Sequence, residues 1–265
     1  MLVFASDLHL TDGTASQTLS PGAFAVFLRC LRETAEAASW RADGAYRPIG
    51  QVDLVLLGDI FDLLRTKRWA AQPQVRPWGN PYAPELVEQI TQITSDILEH
   101  NEPGLAMLRR LSDEGGLAIP PATRTSGKPA HDAQPQPVPV RIHYMVGNHD
   151  WFYHLPGPHY ENLRRTITQQ MGLANRMDRP FAHDIVEKDD LLATMRRHKV
   201  TARHGDLYDP LHFDGDRNTS SLGDVLVIEL LNRFLAEVQT RLAGELPAAT
   251  LAGLVEIDNV RPVLL

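Results

Sequence analysis

Three apolar runs in this chain stop abruptly at acidic, amide or imidazole side chains, and that recurrence limits the possible folds more than any other feature. The run LVFAS (residues 2–6) is followed at once by Asp7 and His9. VDLVLL (residues 52–57) gives way to Gly58, Asp59 and, three residues on, Asp62. VRIHYMV (residues 140–146) meets Gly147, Asn148, His149 and Asp150 with no spacer. KVTAR (residues 199–203) reads as a fourth strand, ending at His204, Gly205 and Asp206. Short apolar runs without strict alternation are expected of parallel strands buried on both faces.

Helical periodicity fills the intervals. Ser20 followed by Pro21 is an N-cap with proline at the first helical position, and Phe24, Phe27, Leu28 and Leu31 continue one face to about residue 39. Pro84 opens a second helix with Leu86, Ile90, Ile93 and Ile97 on one side; residues 105–111 resume after a break at Pro103–Gly104. Residues 160–171 and 189–197 are predicted helical, and a long helical pattern runs from 222 to about 243. Strands alternating with helices predict an α/β architecture, in which ligands bind beyond the carboxyl ends of the strands.

The chain has 265 residues, 43% hydrophobic and 22% charged, which suits one large domain over 1–265. A Pro-rich, polar loop insertion is expected at about 119–139. The net charge of −7 argues against bulk nucleic-acid binding, though a bound cation would still allow a phosphate-bearing substrate. Cys30 is the only cysteine, which excludes an intrachain disulfide and fits a reducing cytoplasm; its place in an apolar-periodic segment reads as core. No run is long enough to span a membrane, and MLVFASDLHL lacks the basic start of a secretory signal.

Each polar strand end is weak evidence alone, since Gly-Asp and Gly-Asn are ordinary turns. Collected along one sheet edge, however, they supply carboxylate, amide and imidazole groups, a hard-to-borderline ligand set for divalent metals. The order Asp-x-His, Gly-Asp-x-x-Asp, Gly-Asn-His-Asp, then His resembles that of the calcineurin-like metallophosphoesterases, over residues 7–204. That resemblance implies an αββα sandwich carrying two metals. Asp7 and His9 would bind the first, Asp59 would bridge, and Asn148 and His204 would bind the second. His149 would protonate the leaving oxygen, with Asp62 holding it charged and oriented. The implied activity is hydrolysis of a phosphoric monoester, diester or pyrophosphate by a metal-bound hydroxide. The substrate would be a phosphate-ester small molecule or nucleotide-type compound, with Mn²⁺ the first expectation for the metals and Fe or Zn²⁺ the alternatives.

The family closes its site with a later Gly-His-x-His, and this chain has none; its last histidine is His212. Three explanations stay open: a missing C-terminal part, a site using fewer protein ligands, or a non-catalytic scaffold with a relic site. His212 is either a substitute ligand or a surface histidine beside Pro210. The HGD at residues 204–206 also resembles UDP-diacylglucosamine pyrophosphatases, but the Gly-Asn-His-Asp and Gly-Asp-x-x-Asp turns depart from that subgroup and leave its substrate unassigned. Arg65, Lys67, Arg68 and Trp69 read as a solvated loop or a phosphate rim, and Arg164 as a solvent-facing helix residue. The aromatic stretch of Trp151, Phe152, Tyr153, His154 and Tyr160 serves either packing or stacking on a substrate.

Overall fold

The computed structural model describes residues 1–113, 115–123, 127–242 and 244–257. In chain order these form β1 (Leu2–Ala5), α1 (Pro21–Ala37), β2 (Val52–Leu57), α2 (Arg68–Ala71), α3 (Pro84–His100), α4 (Glu102–Ser112), β3 (Ala118–Ile119), β4 (Gln136–Pro137), β5 (Val140–Met145), α5 (Pro158–Met171), α6 (Asp189–His198), α7 (Leu222–Val225), α8 (Asn232–Arg241) and α9 (Ala248–Ile257). Short 3₁₀ turns at Trp151–His154, Ile185–Glu187 and Asp206–Tyr208, and a π-helical stretch at Leu226–Leu231, complete the path.

The chain is mixed α/β around a small parallel sheet of order β1-β2-β5. Leu2 pairs with Asp53 and Ala5 with Leu56; Val52 pairs with Val140 and Leu57 with Met145. Every residue of β2 is buried, as a central parallel strand requires. Side chains alternate across the sheet. Leu54, Leu56, Ile142 and Tyr144 join the main core with α1, α3, α4 and α5, while Val55, Leu57 and Met145 pack on Leu191 and Met195 of α6. Helices therefore cover both faces, and all three strands end on the same edge. Among the described residues the second sheet is only the two-stranded antiparallel β3–β4 pair, so the two large sheets of an αββα sandwich are not among them.

Several sequence expectations need correction. KVTAR is not a strand: α6 ends in a left-handed cap at Lys199, with Val200 N–H bonding back to Met195. One outer edge of the sheet is also already taken. Ala174 N–H and the Asn175 side chain bond the backbone of β5, and residues 173 and 182 bridge to it. The Pro-rich insertion is pinned at its base by β3 and β4, although residues 124–126 lie outside the described ones. The break near 103 falls at Asn101 instead, because Pro103 sits in the first turn of α4. The 222–243 pattern is helical but passes through a π segment, and residue 243 lies outside the described residues. Cys30 is exposed, one residue out of phase with buried Leu31. Arg164 is buried and donates to the carbonyls of Tyr153 and Leu155. Trp69 is buried on α2, and Trp151, Phe152 and Tyr153 are core residues.

Candidate metal centre

The strand ends stay registered beyond the sheet. Asp7 N–H bonds Gly58 O at 3.1 Å, His9 N–H bonds Asp59 O at 3.0 Å and Leu10 N–H bonds Ile60 O at 2.9 Å. This continued ladder brings the loops after β1 and β2 side by side. Asp150 anchors the third loop: its carboxylate accepts from Gly147 N–H, Ile60 N–H and the Tyr144 hydroxyl. It is a brace of the turn.

Asp7, His9 and Asp59 all adopt left-handed backbone conformations, with φ of 55°, 45° and 51°. Such values are uncommon outside glycine, and they cluster at functional sites. The two glycines at the strand ends are dictated by space. A Cβ on Gly147 would lie 2.3 Å from Asp59 Oδ1 and 2.7 Å from His204 Nε2; one on Gly58 would lie 2.6 Å from the His204 ring. Their absence lets Asp59 and His204 meet.

Side chains converge around Asp59. Its Oδ2 lies 3.3 Å from His204 Nε2, 3.8 Å from His9 Nε2 and 4.0 Å from His149 Nε2. Asp7 Oδ1 is 3.9 Å from His9 Nε2. Asn148 presents its Oδ1 to His204 Nε2 at 3.1 Å. Two donor groups result, His9–Asp59–His149 and Asp7–Asp59–His204, each with its ligand atoms within 4.8 Å of one another. Asp59 is shared between the two groups, but Asp7 is grouped with His204 and His9 with His149, where Asp7 was expected with His9; Asn148 is in neither group and reaches the site beside His204. His149, predicted as an acid, also directs Nε2 at the shared carboxylate.

Asp62 orients two imidazoles rather than one. Its Oδ1 accepts from His149 Nδ1 at 2.8 Å and its Oδ2 from His9 Nδ1 at 3.0 Å. The Leu57 carbonyl serves His204 Nδ1 in the same way at 3.1 Å. Each histidine therefore gives its Nδ1–H to an oxygen and turns Nε2 toward Asp59, the arrangement that fixes tautomer and rotamer in metal-binding histidines. Neither the His9–Asp62 bond nor the Leu57 bond was foreseeable from spacing, since both depend on rotamers across loops far apart in sequence.

Charge among the protein groups of the site follows from these contacts. Burial pushes the Asp59 carboxyl up, but His149, His204 and His9 outweigh it and hold it at about 2. The same opposition, dominated by His149, keeps Asp62 well below the carboxylate range. Burial depresses His149, yet Asp62 and Asp59 lift it to about 10; His204 rises to about 9 against its own burial, through Asp59. Ionised carboxylates here are balanced by protonated imidazoles, and a cation of equal charge could replace those protons. The donor set fits hard or borderline divalent ions.

His212 reaches this edge too. Its Nδ1 lies 3.2 Å from Asn148 Nδ2, outside both donor groups. No family model, no curated protein and no solved structure matches the chain. Among the described residues, no helix is long and apolar enough to cross a membrane.

Proposed function

We propose that this protein is a metal-dependent phosphoric ester hydrolase of the calcineurin-like type, acting on a monoester, diester or pyrophosphate. The observation that supports this reading most directly is the pair of donor groups sharing buried Asp59 at one sheet edge. Asp7, His9, Asp59, Asn148 and His204 are the residues to hold two divalent ions, with Mn²⁺ the first choice and Fe or Zn²⁺ compatible with the same donors. Bound there, two such ions would neutralise phosphoryl charge and acidify a water.

The chain's own residues complete the chemistry. Hydrolysis forms one P–O bond from water and breaks the P–O bond to the leaving group, which must take up a proton. His149 directs Nε2 at the site while Asp62 accepts from its Nδ1, a contact that favours the protonated ring, so it is placed to give that proton. Asp62 is a positioning residue, since it acts through His149 and His9. Asp7, half exposed at 56%, lies on the open side from which a substrate would arrive.

One observation favours a second reading, a non-catalytic relic: no Gly-His-x-His occurs in the sequence. Metal loading and turnover separate the two. Protein reconstituted with Mn²⁺ should hydrolyse an aryl phosphate or a bis-aryl phosphodiester, and Asp59→Ala should abolish this together with metal binding. Full Mn²⁺ loading without turnover of either ester would refute the hydrolase and leave the relic.

A further inference from the structure

Asn148 stands between two imidazoles. Its Oδ1 faces His204 Nε2 at 3.1 Å, and its Nδ2 faces His212 Nδ1 at 3.2 Å. A primary amide has one accepting end and one donating end. Turned over, it would point N–H groups at the cation site and lose the only oxygen it can offer a metal. Whatever fixes the amide's direction therefore fixes whether Asn148 can be a ligand.

We infer that His212 is a positioning residue that holds the Asn148 carboxamide oxygen toward the metal site, and that it is not itself a ligand. The inference rests on the dinuclear reading above and adds a residue to it. His212 can impose the direction only if Nδ1 is an acceptor, which requires the ring proton on Nε2. Asp209 supplies that bias, with its Oδ2 3.7 Å from His212 Nε2. The ring is also immobilised. His212 N–H bonds Asp209 O at 2.9 Å, and Gly223 N–H bonds Leu211 O at 2.6 Å. The first turn of α7 lies directly on the imidazole: a Cβ on Gly223 would come within 2.5 Å of Nδ1 and 2.8 Å of Cε1. Asp209, His212 and Asn148 thus run in sequence from a surface carboxylate to the cation site, with the nearby negative charge favouring a proton on His212 Nε2 and the ring's Nδ1 facing the amide.

The same α7 turn braces the other side of the loop, where Asp224 accepts from Trp151 Nε1 at 3.4 Å. The segment after His204, which carries no family motif, therefore supports the Gly-Asn-His-Asp turn at two points.

Two substitutions separate hydrogen bonding from packing. His212→Asn places an amide oxygen where Nδ1 stood and keeps the acceptor; His212→Phe keeps the ring and removes it. Mn²⁺ alone, titrated calorimetrically into metal-free protein, is the probe. Wild type should take two ions. His212→Phe should weaken one of them about 10–100-fold, the usual effect of losing a group that orients a ligand. His212→Asn should restore wild-type affinity, and thermal unfolding should be alike for all three. Unchanged affinity in His212→Phe, or equal losses in both variants, would overturn the proposal. Should His212→Phe fail to fold, Gly223→Ala displaces the ring instead and is expected to show the same single-ion loss. A wild-type chain that binds no Mn²⁺ would refute the dinuclear reading, and the His212 contact is then decided in metal-free protein. The Asn148 side-chain NH₂ resonances should be shifted and exchange-protected in wild type and His212→Asn, and not in His212→Phe. Identical resonances in all three would overturn it.

Discussion

Replacing Asp62 by asparagine tests the electrostatic design of the site with minimal change of shape. Asp62 Oδ1 accepts from His149 Nδ1, Leu64 N–H and Arg65 N–H, whereas Oδ2 accepts from His9 Nδ1. An asparagine will keep its oxygen at the three-donor position and turn its NH₂ toward His9. The variant therefore deletes the carboxylate's charge, retains the His149 bond in neutral form, and opposes the His9 ring with a second donor. A hydrogen bond to a charged partner contributes about 1.5–3 kcal/mol, and one pH unit corresponds to about 1.4 kcal/mol. Losing the Asp62 charge should lower the His149 titration from about 10 by about 1–2 pH units, leaving Asp59 at 4.0 Å as its main support. Removing one partner of a buried pair should also destabilise the metal-free protein by about 3–5 kcal/mol. Nitrogen-detected imidazole NMR across the titration gives the first quantity and urea unfolding gives the second. A His149 that still titrates near 10 in the variant would refute Asp62 as the source of its charge.

The remaining predictions concern pH, His149 and the glycine turn. In metal-free protein, His149 contributes stability that is complete below its ordinary value near 6.5 and lost as pH rises through about 10, while Asp62 contributes stability present above the ordinary carboxylate range and lost on acidification. Urea midpoints across pH should therefore hold a plateau between the carboxylate range and about 6.5, and in Asp62→Asn the alkaline loss should start at the same pH but be smaller and complete at a lower one. His149→Ala should depress turnover about 10²–10⁴-fold with both Mn²⁺ ions retained if the residue acts as the acid; loss of one ion in calorimetry would make it a ligand through the His9–Asp59–His149 group. Gly147→Ala forces a methyl to 2.3 Å from Asp59 Oδ1, so a stability loss of about 3 kcal/mol and weaker binding of both ions are expected; unchanged Mn²⁺ affinity would contradict the packing described.

What the sequence disclosed was chemistry at chain positions, and what it hid was geometry between them. Asp7, His9, Asp59 and Asn148 were legible because parallel strands deliver their carboxyl ends to one edge, so a polar residue after each apolar run has a known destination. The false fourth strand shows the limit. KVTAR carries strand-like residues, yet the helical cap at Lys199 and the occupied edge of β5 leave it as a loop, and His204 arrives without a ladder. Cys30 was misplaced by a single step of helical phase. Arg164 looked like surface because its helix pattern says nothing of the Tyr153 and Leu155 carbonyls, which need a donor at the end of a 3₁₀ turn. His212 was hidden by a turn that folds the chain back within eight residues of His204, a reversal with no periodic signature.

The backbone at Asp7, His9 and Asp59 bears on how such a protein would drift. At φ between 45° and 55° a glycine is the more comfortable occupant, by up to about 1–2 kcal/mol per position. Asp7 makes the point most plainly: its side chain is mostly in water and packs against no core, so truncating it should leave the empty fold at least as stable. A lineage released from any need for this group would have a downhill path to glycine at Asp7, whereas at His9 and Asp59 a glycine would forfeit the bonds to Asp62 and to the His149 backbone.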